Sequence, residues 1–118
     1  MPTLRELTEA VQNRHGVESV VILGADGLLI ETHDSARNDA EVIAARVPGV
    51  ATAIAQLGGA IGSGVASMAL LEFERGYGVV LRLSDHVLLF VSATSAVDLS
   101  GLLYDLRRYR SSMAALLV

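Results

Sequence analysis

Five consecutive apolar residues, Val87-Leu88-Leu89-Phe90-Val91, constrain this chain more than any other feature of its sequence. Successive side chains on a strand point to opposite faces. A strand with no polar alternation therefore belongs to a sheet that is covered on both sides. Val20-Val21-Ile22-Leu23 makes the same demand earlier in the chain. Both covering layers must come from helices, supplied by this chain or by a second molecule.

The pattern supplies three helices and five strands. Thr3-Leu4-Arg5-Glu6 has capping-box form, so a first helix is expected from Thr3, with Leu4, Leu7 and Val11 on one face and Gly16 just past its end. A strand from Val17 to Gly24, the turn signal Ala25-Asp26-Gly27 and the start Leu28-Leu29-Ile30 read as a β-hairpin. Asp34 to Asn38 is polar and reads as a loop. After a middle helix and the connector Gly58 to Gly64, three strands are predicted at Val65 to Glu74, Tyr77 to Leu83 and Val87 to Ala93. The last helix should start near Ser95 or Asp98, with Leu99, Leu102, Leu103, Leu106, Tyr109, Met113 and Leu117 at helical spacing. The apolar end Leu116-Leu117-Val118 is expected to be frayed or docked. The order is α-β-β-α-β-β-β-α, an α+β class with a largely antiparallel five-stranded sheet between helices. The length of 118 residues fits one domain spanning 1–118.

The middle helix, expected from Asp39 to Leu57, is alanine-rich and carries apolar residues on more than one stripe. A helix apolar nearly all round is usually covered on two sides, so this element most needs a second molecule. Pro48-Gly49 lies inside it. Proline removes a backbone donor and disfavours helix at Val47, which predicts a kink, or a break into two short helices.

Little here could carry chemistry. The chain has no cysteine, and all nine of its basic residues are arginine. Disulfides, thiolate metal sites, a phosphate-loop lysine and a Schiff-base lysine are therefore excluded. The net charge of −4 and an aromatic content of 4% argue against nucleic acid as a partner. No apolar run of about 18 residues suggests a membrane span, and the N-terminus has no signal-peptide pattern, so a cytoplasmic location is expected. Gly58-Gly59-Ala60-Ile61-Gly62-Ser63-Gly64 follows a helix and precedes a strand, the reverse of a phosphate loop, and reads as a connector. His15, His33 and His86 show no metal-binding spacing, and no serine stands in a G-x-S-x-G elbow. No metal and no cofactor is expected. Glu72 and Glu74, two apart on one strand face, read as a solvated strand end. Arg107, Arg108 and Arg110, with Asp105, read as a charged helix face that could dock an acidic partner.

Taken together, these pieces resemble the Roadblock/dynein light-chain domain family, and its bacterial members more than its motor-associated ones. The cues are His15-Gly16-Val17, Ala25-Asp26-Gly27-Leu28-Leu29, the Ala-rich middle helix and Glu72-Phe73-Glu74-Arg75-Gly76. Ser84-Asp85-His86-Val87-Leu88-Leu89-Phe90-Val91 and Asp98-Leu99-Ser100-Gly101-Leu102-Leu103 complete the set. The resemblance implies a homodimer in which the middle helices pack together and the third strands pair edge to edge. On this chain that places Ala44, Val47, Ala51, Ile54 and Ala55 near the helix contact, and Ser67, Ala69 and Leu71 on the paired strand. It also implies work beside a Ras-like small GTPase, as platform, activator or regulator. Arg46, Arg75 and Arg82 are available as partner-facing arginines, and nothing in the sequence selects one. A small-molecule-sensing or general scaffold domain is the alternative, and an enzyme is the weakest reading.

Overall fold

The computed structural model describes residues 2–34 and 39–117. The elements are α1 (Leu4–Gln12), β1 (Val17–Gly24), β2 (Leu29–Asp34), α2 (Ala40–Ala60), β3 (Met68–Phe73), β4 (Gly76–Arg82), β5 (Val87–Thr94) and α3 (Leu99–Ala115). Their order is the expected one. All four strand pairs are antiparallel, and the strands lie in the order β2-β1-β5-β4-β3. Of the loop expected at Asp34 to Asn38, Asp34 is instead the last residue of β2, and residues 35–38, like Val118, lie outside the described residues.

The two all-apolar runs fill the sheet's middle and feed both of its faces. On one face Val20, Ile22, Val79, Leu81, Leu89 and Val91 pack against Leu7 and Val11 of α1 and against Leu102, Leu106 and Met113 of α3. Leu116 and Leu117 dock against the same layer. On the other face Val21, Leu23, Val80 and Leu88 pack against Ala44 and Val47 of α2, with Phe90 partly buried beside them. Both faces are covered, as the run at 87–91 demanded.

Local chemistry sets the helix ends. Thr3 Oγ1 accepts from the Glu6 N–H at 3.1 Å, and the Thr3 N–H donates back to Glu6 Oε1 at 3.4 Å, so the capping box is formed. Gly16 has φ +90, and a Cβ there would lie 2.7 Å from Val97 Cα. Only glycine meets both conditions at this junction of α1, β1 and the α3 approach. Asp98 caps α3 by accepting from the Gly101 N–H, which fixes the start that the sequence left between Ser95 and Asp98.

One open alternative is decided, and two expectations need correction. First, α2 is one helix of 21 residues through Pro48, without a break into two. Proline at 48 leaves the Ala44 carbonyl without its helical donor. The hairpin turn closes on that carbonyl: a Cβ on Gly27 would lie 3.6 Å from the Ala44 oxygen. Second, Gly58 and Gly59 are helical, so the connector lies three residues later than predicted and spans 61–67. The chain folds back beneath the helix end, where the Ser63 N–H donates to the Gly58 carbonyl at 2.9 Å. A Cβ on Gly58 would meet the Gly64 carbonyl oxygen at 2.2 Å. Third, β3 is Met68–Phe73 rather than Val65 to Glu74, so Ser67 stands just ahead of it and Glu74 lies in the following turn. By length and composition α2 is also apolar enough to cross a membrane, which unbroken apolar runs alone do not reveal. In this fold it lies on the sheet with Ala44 and Val47 buried.

Candidate interaction surface

α2 carries two apolar stripes with different roles. Ala40, Ile43, Ala44, Val47 and Ala51 turn toward the sheet and pack in its second layer. Val50, Leu57 and Ile61 follow at i, i+7 and i+11, which puts them on one flank. All three are exposed, Leu57 by 60%. The other flank turns toward the hairpin ends of the strands: Pro48, Ala51, Thr52 and Ala55 line an open groove with Arg82 and Asp85. The flank with Val50 and Leu57 consequently turns toward the opposite strand ends.

Those strand ends form an aromatic shelf. Pairing puts Leu71 beside Gly78 and Val80 beside both Ala69 and Phe90, so Ala69, Leu71 and Phe73 share the α2 face with Gly78 and Phe90. Rings from both sides close over Gly78. A Cβ there would lie 3.1 Å from Phe90 Cε1 and 3.2 Å from Phe73 Cε2. Phe73 remains 59% exposed.

β3 is also a free sheet edge. The Arg82 N–H donates to the Ser67 carbonyl at 3.0 Å, which makes Ser67 and Arg82 a hydrogen-bonded pair. Hydrogen-bonded pairs alternate along an antiparallel ladder. Ala69, Leu71 and Phe73 therefore bond to β4, while the backbone groups of Met68, Leu70 and Glu72 point outward. The other edge, β2, is blunted by a bulge at Ile22/Leu23 and carries Glu31 and His33.

The residues predicted for self-contact divide accordingly. Ala44 and Val47 are buried within this chain and support α2 from behind. Ala51, Ile54 and Ala55 meet Ser67 and Ala69 around a groove of about 50 Å³, while Leu71 lies further along β3. Val50, Leu57, Ile61, Leu70 and Phe73, which the sequence reading did not single out, are exposed large apolar side chains on or beside the same elements. The signal for the α2 members was a second stripe at helical spacing, hidden by reading the helix as apolar all round.

The three arginines expected as a docking face are not equivalent. Arg110 Nε donates to the Arg82 carbonyl at 2.9 Å, tying α3 to the end of β4. Arg108 donates to the Tyr109 hydroxyl at 2.9 Å and lies over the Tyr109 and Tyr104 rings. Tyr109 is the main cause that holds its guanidinium pKa above the ordinary value. Arg107 is exposed. Arg14 reaches Asp105 at 2.7 Å and pins the end of α1 to α3. Arg82 pairs with Asp85, and Arg46 and Arg75 are exposed.

Among the described residues no group of His, Asp and Glu is placed to hold a metal ion. His15 lies past α1, His33 on β2 and His86 in the β4–β5 turn. An open cleft of about 540 Å³ beside the first hairpin is lined by Asp26, Leu28, Leu29, Ile30 and His86.

The Roadblock/LC7 domain model matches residues 3–93. A comparison with curated protein sequences finds no match. A Roadblock/LC7 domain from Streptomyces avermitilis superposes with a TM-score of 0.86 at 23% identity, covering 98% of each chain. MglB from Myxococcus xanthus gives 0.88 at 15% identity, over 97% of this chain and 94% of that one. The gliding protein MglB from Thermus thermophilus gives 0.85 at 17% identity, over 96% of this chain and 87% of that one.

Proposed function

The chain belongs to the Roadblock/LC7 domain family, and on that premise we propose that it is a non-catalytic, homodimeric interaction module that regulates or scaffolds a Ras-like small GTPase in the bacterial cytoplasm. One observation carries the self-association. Leu57, Ile61 and Phe73 stand exposed on α2, its end and β3, beside a strand edge with open backbone groups. Large apolar side chains grouped this way on a small domain mark a protein contact. The same elements are those expected from the family resemblance to meet across the dimer.

The interface on this reading is the outward flank of α2, the corner formed by Ala51, Ile54, Ala55, Ser67 and Ala69, and the edge of β3 with Leu71. Ala44 and Val47 act behind it, as the packing that sets the height of α2 above the sheet. The GTPase rests on family membership, and the gliding role stated for the Thermus protein supports a setting in polarity or motility. Arg107 and Arg108 lie on α3, across the sheet from α2, and stay open to a partner when two copies associate. Affinity capture with the host's Ras-like GTPases, each loaded with GDP and with a GTP analogue, tests the reading. Binding in one nucleotide state is expected. No binding in either state across the whole set would refute the GTPase role.

A further inference from the structure

We propose that the outward face of α3, formed by Tyr104, Arg107 and Arg108, docks an acidic segment of a partner protein, one that carries two or more carboxylates beside an apolar side chain. This goes beyond the GTPase reading and requires neither that partner nor self-association.

Helical spacing sets the face. Leu102, Leu106 and Met113 are buried beneath α3, which leaves Tyr104, Arg107, Arg108 and Ser111 exposed on its far side. Arg107 and Arg108 follow Tyr104 by three and four residues, so both guanidinium groups stand within one turn of the ring. Tyr104 is 63% exposed. Tyrosine and arginine together are the side chains that most often dominate the energy of a protein contact. α3 packs on the sheet face opposite α2, so this surface stays open whatever covers α2.

The charge on this face has no counterpart within the chain. The whole chain carries −4, yet α3 holds three arginines and a single carboxylate. That carboxylate, Asp105, is committed elsewhere: Oδ2 accepts from Arg14 Nε at 2.7 Å, while Oδ1 stays 3.8 Å from Arg108. On α1, Glu9 pairs with Arg5 and Glu6 with the Thr3 cap. Arg107 is exposed and has no side-chain partner among the described residues. Arg108 is held ready. One of its five N–H donors goes to the Tyr109 hydroxyl, and its guanidinium lies 4.9 Å from the Tyr109 ring centre and 5.8 Å from that of Tyr104. The remaining donors form a planar fork that matches a carboxylate. Ordering a long side chain before binding lowers the cost of binding, and solubility alone would need the charge without the order. The surface fits a protein segment better than other anions. Anionic bilayers are recognised by clusters of about four to eight basic residues, where this face offers two. Nucleic acid is repelled by the overall negative charge.

Selection of short random peptides, displayed on phage, against the immobilised full chain provides the test. The expected set is enriched in Asp and Glu around an apolar residue. Made synthetically, those peptides should bind the Arg107→Glu/Arg108→Glu variant about tenfold more weakly or worse, since each loses charged hydrogen bonds. Arg107→Lys/Arg108→Lys keeps the charge without the fork and should recover only part of the loss. Tyr104→Ala should weaken binding by about threefold or more. All three variants change exposed residues, so each should keep the thermal midpoint and sedimentation behaviour of the unmodified protein. Three results would each overturn the proposal: no peptide selected, a selected set without acidic enrichment, or acidic peptides that bind Arg107→Glu/Arg108→Glu with unchanged affinity. Binding of phosphatidylserine vesicles or duplex DNA through these arginines, in place of peptides, would overturn it as well. None of these results bears on the dimer or on the GTPase.

Discussion

Leu57→Ala separates folding from association, because Leu57 touches little in its own chain. Leucine and alanine are both good helix formers, so α2 itself should tolerate the change. Fully burying a leucine contributes about 1.5–3 kcal/mol. Leu57 is 60% exposed in the single chain, so a second copy could bury a further fraction contributing about 1–2 kcal/mol. A two-fold interface uses the residue twice, which brings the loss to about 2–4 kcal/mol per dimer. At about 1.4 kcal/mol per tenfold change, the dissociation constant should rise roughly thirty- to several-hundredfold. Sedimentation equilibrium across a concentration series measures this, and far-ultraviolet circular dichroism confirms that helix content is retained. A dissociation constant within threefold of the unmodified protein would refute the placement of this flank in the interface.

Three further variants probe the fold beneath the surface. Gly16→Ala forces a side chain into φ +90 and against the Val97 backbone; a loss of about 2 kcal/mol or more is expected, and an unchanged thermal midpoint would contradict it. Asp105→Ala leaves the Arg14 guanidinium, itself 28% exposed, without its carboxylate. Part of the roughly 1.5–3 kcal/mol typical of a charged hydrogen bond is lost to solvent screening, so a fall of roughly 1–2 kcal/mol, or about 4–8 °C, is expected by calorimetry. Thr3→Ala removes the α1 cap and should cost about 1 kcal/mol in urea denaturation, with no effect on association.

Much of this architecture was legible because it is written locally. The capping box at Thr3 and Glu6, the turn at Asp26-Gly27 and the unbroken run at 87–91 each specify their element through neighbours in the chain. What was not legible depends on contacts distant in sequence. Pro48 left one kinked helix and two short helices equally open, and only the fold shows a single helix from Ala40 to Ala60. The sequence also showed that α2 has more apolar surface than one sheet can cover. Which residues face inward depends on how the helix crosses the strands, so Ala44 and Val47 were grouped with Ala51 and Ile54. Only the fold separates them, and only the fold shows that Leu57 and Phe73 remain uncovered. The three arginines of α3 looked alike for the same reason, since Arg110 is distinguished by a carbonyl on β4 and Arg108 by two tyrosine rings.

Self-association through the edge of β3 is the claim on which the dimer stands. The amide N–H groups of Leu70 and Glu72 point away from β4 and have no ladder partner among the described residues. Amide hydrogen exchange, followed residue by residue by NMR as protein concentration rises, reports on them alone. If two copies join through this edge, the Leu70 and Glu72 amides become protected at concentrations where sedimentation shows a species of twice 12.4 kDa. Exchange at the unprotected rate in that same dimer would show that the copies meet elsewhere.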